Sequence, residues 1–159
     1  MGLKLVRIDD RLIHGQVVVG WVRFLSANHI IVADDAVAKD AMQKALYEMV
    51  VPREVKVSIL TLSETAQRLS ENTFANDEII LLVSRPSEVL ALINLGLTIK
   101  SINVGGMRFE PDKRQITKSV SVNDKDIAVF HELAAKGIEI EGRAVPTEEK
   151  INIFKLLSG

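Results

Sequence analysis

Between residues 9 and 16 the chain reads DDRLIHGQ, which gathers two carboxylates, a guanidinium, an imidazole, a glycine and a carboxamide. That mixture suits phosphoryl chemistry. A neutral imidazole keeps a nitrogen lone pair near pH 7 and can attack phosphorus, so His14 is the candidate nucleophile. Arg11 offers a planar fork that can grip phosphate oxygens in a bidentate way, through charge-assisted bonds of roughly 1.5 to 3 kcal/mol each. Asp10 is a candidate to orient Arg11 or His14. Gly15 permits close backbone approach, and a helix starting here would aim the free N–H groups around Gly15 and Gln16 at an anion. The same residues admit a purely structural account, in which Asp9 and Asp10 cap a turn, Arg11 neutralises them and His14 is a satisfied, partly buried histidine.

Such a loop must be held by a strand before it and a helix after it, and the chain supplies LKLVRI and VVVGWVRFL on either side. Further β-rich runs follow: HIIVA, VKVSIL, EIILLV, SINV, ITKSVSV and IEIEGRAV, separated mostly by stretches of helical length. This alternation predicts an α/β fold with an open, mostly parallel twisted sheet of about six to seven strands and helices on both faces. The early runs are nearly continuous in apolar residues, as strands buried on both faces should be, whereas ITKSVSV alternates and is expected nearer an edge. Thr61 and Glu64 have capping-box spacing, Pro86 fits a first helical turn, Asn123 and Thr147 are candidate N-caps, and Gly96 and Gly137 are candidate helix stops. Residues 35–51 carry an apolar stripe expected to pack on the sheet, ended by Pro52.

Ligands of open parallel sheets bind beyond the carboxyl ends of the strands. The loops there would be DDRLIHGQ, then ADD, Thr61, SRP and GGMR; Arg23, Arg85, Arg108 and Lys118 either supplement the surface around the first loop or are solvated charges. His29 begins the second strand, at the opposite end, and is expected to be structural. His131 falls inside the helical stretch DIAVFHELAAK, and Trp21 is expected in the core or an interface. No linker, repeat or low-complexity tract divides the chain, so residues 1–159 are expected to form one domain.

Composition narrows the choice of function. The 159 residues are 47% hydrophobic and 26% charged, far from the signature of disorder. With 20 basic and 21 acidic residues the net charge is −1, and one Trp, one Tyr and five Phe make no base-stacking platform, so nucleic acid is not an expected partner. The absence of cysteine removes disulfides, thiolate nucleophiles and cysteine metal sites, and suits the cytoplasm. Three scattered histidines do not make a metal site; a magnesium site of Asp9, Asp10 and Asp34 is conceivable, as in phosphorylated receiver domains, but strand three ends at Thr61 without the aspartate those domains phosphorylate. No G-x-G-x-x-G or G-x-S-x-G occurs, which argues against a dinucleotide enzyme or a serine hydrolase. The longest runs free of formal charge, 11 residues each, are too short to cross a bilayer, and MGLKLVRIDD lacks the features of a signal peptide, so the mature chain is expected to start near Met1.

RIDDRLIHGQVVVGWVR closely resembles the phosphorylation-site segment of the IIB components of the mannose/fructose/sorbose family of the bacterial phosphoenolpyruvate-dependent sugar phosphotransferase system. The resemblance continues through IIVADDAVAKDAMQKALYEMVVP, SRPSEVLALINLG, SINVGGM and FHELAAKGIEIEGRAVP, nearly the whole chain. It implies a phosphotransferase without cofactor or metal, cytoplasmic and peripheral to a membrane sugar permease. His14 would take a phosphoryl group from a phosphohistidine of the IIA component and pass it to a sugar delivered by the IIC and IID membrane components. The family uses Nδ1 of this histidine, and its sugars include mannose, fructose, sorbose and N-acetylgalactosamine. Arg11, Asp10, Gly15 and Gln16 would complete the site. A non-catalytic module that binds a phosphorylated partner, and a nucleotide-binding enzyme, are the alternatives that label transfer and ligand binding would separate.

Overall fold

In the computed structural model, which describes residues 2–158 apart from the side chains of Gln16 and Val17, the run LKLVRI lies within the central strand β1 (Gly2–Asp9). Helix α1 (Gly15–Leu25) leads to β2 (His29–Ala33); two short helices, α2 (Asp35–Ala38) and α3 (Ala41–Met49), lead to β3 (Lys56–Leu60). Helix α4 (Leu62–Ser70) precedes β4 (Glu78–Val83), and α5 (Pro86–Asn94) precedes β5 (Ser101–Gly106). A small ribbon of β6 (Arg114–Gln115) and β7 (Ser121–Val122) then gives way to α6 (Asp124–Ala135), β8 (Glu139–Gly142), β9 (Ile151–Asn152) and α7 (Ile153–Leu157).

The main sheet has seven strands in the order β3-β2-β4-β1-β5-β8-β9, parallel throughout except for β9. Strand β1 pairs with β4 on one side and β5 on the other, while the chain leaves β1 for β2, beyond β4. The order therefore switches at β1, and the loop that leaves β1 opens into the crevice this creates. Helices α4 to α7 cover one face around Phe130, Leu92, Leu69 and Ile153, and α1 covers part of the other around Trp21, Val18 and Val22. All five residues of β2 are buried, as a strand covered on both faces requires. Each large aliphatic side chain so placed contributes on the order of 1.5 to 3 kcal/mol relative to exposure, and this fixes β1 within the sheet.

Helix ends follow the expected chemistry at several points. Thr61 and Glu64 close a capping box, as do Asn123 and Asp126, and Pro86 opens α5. Gly96 and Gly137 follow helix ends at φ +106° and +85°, a region that favours glycine.

Three expectations change. The stripe in residues 35–51 does not pack as one helix on the sheet: Asp40 caps a second helix by accepting from the Gln43 N–H at 3.1 Å, and no residue of α3 is buried. Met42, Leu46, Met49 and Val50 are exposed, Met49 by 79%, while Val37 and partly Tyr47 carry the packing. Periodicity shows which residues share a face, not whether anything covers it. ITKSVSV contributes only Ser121 and Val122 as a strand, in the ribbon outside the main sheet. Thr147 caps no helix; Asn152 caps α7 instead, accepting from the Phe154 N–H at 2.9 Å.

His29 is structural. Buried at the amino end of β2, its Nδ1 lies 2.9 Å from Asp77 and its Nε2 2.8 Å from the Ser58 hydroxyl, and Phe74 meets its ring edge-on. His131 in α6 packs its ring 4.9 Å from that of Phe154.

Candidate functional site

The site grows from the end of β1. Alternation along the strand turns Arg7 and Asp9 to the same side, and both are buried, at 2% and 0% exposure. After Asp9 the backbone turns sharply: Leu12 N–H donates to the Asp9 carbonyl at 2.9 Å and Leu12 sits in the left-handed region at φ 57°. A bulky residue there costs roughly 1 to 3 kcal/mol, and burial of the Leu12 and Ile13 side chains in the core under α1 holds the conformation. The turn delivers His14 to the N-cap of α1 in extended conformation. Its side chain makes no cap bond, so the first N–H groups of α1 are left to other partners.

Asp9 is the hub. Its Oδ1 accepts from the Arg11 backbone N–H at 3.1 Å and from Arg11 Nε at 3.0 Å; its Oδ2 accepts from an Arg11 NH2 at 3.0 Å and from Arg7 at 3.0 Å. The same Oδ2 lies 3.2 Å from His14 Nε2. Burial pushes the Asp9 carboxyl up, but the hydrogen bonds from Arg11 and the charge of Arg7 outweigh it and hold Asp9 below the ordinary carboxylate range. An ionised Asp9 is acceptor only, so the contact with His14 is a hydrogen bond when Nε2 carries the proton. Nδ1 then keeps its lone pair, and no hydrogen bond to it occurs among the described residues.

Asp9, rather than Asp10, thus contacts Arg11 and His14. Asp10 turns to the loop after β5, where its Oδ2 accepts from the Arg108 backbone N–H at 2.7 Å and from Arg108 Nε at 3.2 Å, while its own N–H donates to the Gly106 carbonyl at 3.0 Å. Gly105 and Gly106 make room for the hub. A Cβ on Gly106 would fall 2.7 Å from Asp9 Oδ1, and one on Gly105 would overlap the Arg7 guanidinium. At Gly15 a Cβ would meet no described atom within 4 Å, so the start of α1 is open. The Gln16 side chain lies outside the described residues.

Beside the loop is a cleft of about 720 Å³ whose walls include Asp10, Asp34, Tyr47, Ser84, Arg85 and Arg108. Asp34 is committed to capping α2, accepting from the Val37 N–H at 3.0 Å, and among the described residues no group of three metal-ligating side chains is drawn together. Arg85 and Arg108 reach this cleft; Lys118 lines a different hollow, and Arg23 lies in the last turn of α1, away from His14. Arg7 escaped the sequence reading because it sits inside an apolar strand run, yet an arginine between Val6 and Ile8 was itself a signal, since a buried guanidinium demands a partner.

The class is therefore a doubly wound α/β domain with a histidine, an aspartate and two arginines assembled at its switch point. Residues 3–159 match the family described as PTS system sorbose subfamily IIB component. The fructose-specific EIIB component of Bacillus subtilis is 41% identical over 157 residues, covering 99% of this chain and 96% of that one. The mannose-specific EIIAB component of Escherichia coli is 39% identical over 158 residues, and there the chain spans 49% of its relative's length. The crystal structure of the IIBSor domain of the sorbose permease from Klebsiella pneumoniae superposes with a TM-score of 0.94 at 33% identity, covering 99% of this chain and 97% of that one. The chain belongs to the sorbose-type IIB components of the sugar phosphotransferase system, whose EIIB components are phosphotransferases. No helix among the described residues is long and apolar enough to cross a membrane.

Proposed function

We propose that residues 1–159 form one phosphocarrier domain, in which His14 Nδ1 receives a phosphoryl group from a phosphohistidine of a IIA component and hands it to a sugar. The observation that carries the reading is His14 at the open start of α1, with Nε2 turned to Asp9 and Nδ1 free of protein partners among the described residues. In the first step the Nδ1 lone pair forms a bond to phosphorus as the donor's P–N bond breaks, and the donor imidazole recovers its lone pair. Arg11 and the N–H groups at Gly15 and Gln16 spread the charge on the equatorial oxygens of a loose transition state. Asp10 acts at one remove, by tying Arg108 and the loop after β5 to the site loop. In the second step a sugar hydroxyl displaces the ring, its proton leaves to a base, and Nδ1 is free again.

His14 is 27% exposed, enough for a partner's ring to reach it and too little for bulk water to surround it. The site acts on the cytoplasmic side of a IIC and IID membrane pair, and those components select the sugar. The named sugars of the relatives, fructose, mannose, sorbose and N-acetylgalactosamine, support a sugar of that class as the acceptor.

The test is intact-mass spectrometry after incubation with phosphoenolpyruvate, enzyme I, HPr and a matched IIA protein. One acid-labile phosphoryl group per chain is expected, and none on His14→Ala. Label that persists in that variant, or a phosphorylated IIA protein that binds and transfers nothing, overturns the reading, and the latter result would favour a regulatory module.

A further inference from the structure

Two arginines share Asp9, and they differ in their freedom. Arg11 is 47% exposed and, among the described residues, its side chain bonds only to Asp9. Arg7 is buried and held on every side. One of its terminal nitrogens donates to Asn103 Oδ1 at 2.6 Å and to the Arg143 carbonyl at 3.1 Å, while the other donates to Asp9. Asn103 is anchored in turn, donating to Glu141 at 3.1 Å and to the Arg143 carbonyl at 2.9 Å. The Arg7 guanidinium also lies 5.5 Å from the centre of the Trp21 ring, which is fixed by its indole N–H on the Ala144 carbonyl at 3.2 Å.

On the phosphocarrier reading, a phosphoryl group arriving at Nδ1 draws the guanidinium of Arg11 toward its negative charge. Were Arg11 the sole counter-charge of Asp9, one guanidinium would have to serve both the carboxylate and the phosphoryl oxygens. Arg7 removes that competition, because its bonds to β5 and to the Arg143 carbonyl keep it from following Arg11 toward solvent.

We propose that Arg7 is a positioning residue: it is the fixed partner that holds Asp9 in place, at rest as well as when Arg11 turns to the phosphoryl group, so that His14 stays in the tautomer with its proton on Nε2. This rests on the phosphocarrier reading of the same site. Through the transfer the Nε2 proton remains on the ring, bonded to Asp9, and the carboxylate stabilises the positive charge that the ring acquires as the Nδ1–P bond forms.

The tautomer is read directly from the ring 15N shifts of histidine-labelled protein, with His14 assigned by its loss in His14→Ala. The wild type should show a protonated Nε2 and an unprotonated Nδ1. Arg7→Gln should give mixed tautomers and slow phosphoryl uptake about tenfold or more, since a histidine presented in the wrong tautomer is a poor nucleophile. Arg7→Lys, which restores a cation, should recover the tautomer and most of the rate. A folded Arg7→Gln protein with the wild-type tautomer overturns the proposal. Should that variant not fold, Asn103→Ala decides, because it keeps the arginine and removes its anchor: a shifted tautomer supports the proposal and an unchanged one overturns it. The tautomer readout needs no phosphoryl transfer, so a wild type that takes up no label overturns the carrier reading alone.

Discussion

The Asp9 carboxylate, with no exposure of its own, reaches His14 Nε2 at 3.2 Å while holding Arg7 and Arg11 at 3.0 Å. One side chain therefore orders the histidine, the half-exposed cation and the buried cation together. Asp9→Asn removes the charge that all three face. Leaving Arg7 buried without its counter-charge should cost about 3 kcal/mol of stability, and phosphoryl uptake by His14 should fall about a hundredfold or more. Denaturant titration and label uptake measure the two effects, and a variant of unchanged stability would mean that Arg7 finds another partner.

Arg11→Ala should separate rate from stability. Its side chain is half exposed and Arg7 stays behind as the buried counter-charge of Asp9, so removing it should cost folding less than removing the Asp9 charge does. If the guanidinium supplies ~2 kcal/mol in the transition state, uptake slows roughly thirtyfold. A stopped-flow or quenched time course with phosphorylated IIA protein gives the rate, and an unchanged one removes Arg11 from the mechanism.

Gly105 and Gly106 should tolerate no side chain without disturbing the hub. Gly105→Ala places a methyl group against the clamped Arg7 guanidinium, and the strain of overpacking is expected at about 1 to 3 kcal/mol. Gly106→Ala crowds Asp9 Oδ1 and should lower the uptake rate more than the stability. Thermal melts and uptake assays on the pair distinguish the two sites.

Stability should fall on mild acidification because of His29, far from the site. Burial pulls the His29 imidazole below its usual value, and the Asp77 carboxylate only partly offsets this. The folded chain then binds fewer protons than the unfolded one, whose histidine titrates near about 6.5, so the contribution of His29 is present above that pH and is lost as pH falls below it. Asp9, also held low in the folded state, adds a second loss of the same sign only below about pH 4. The melting temperature of the wild type should drop between about pH 6.5 and 5, and that limb should be missing in His29→Gln. A parallel drop in both proteins would assign it elsewhere.

The sequence by itself carried the parallel α/β class, the strand that ends at Asp9, the helix that begins after His14, and the loop between them, because alternation, apolar runs and caps are local properties of the chain. It also carried the family, through a motif and a full-length likeness. It did not tell which of two adjacent aspartates turns inward: Asp9 and Asp10 are alike as residues, and only the pleat of β1 and the glycine pair on β5 send one to His14 and the other to Arg108. Nor did it tell that Met42, Leu46 and Met49 face outward, since an apolar stripe does not reveal whether anything covers it. Arg7 and Asn103 lie 96 positions apart, on β1 and β5, and their pairing exists only where the sheet brings those strands side by side. Local chemistry set the parts of the site, and long-range strand pairing decided which of them touch.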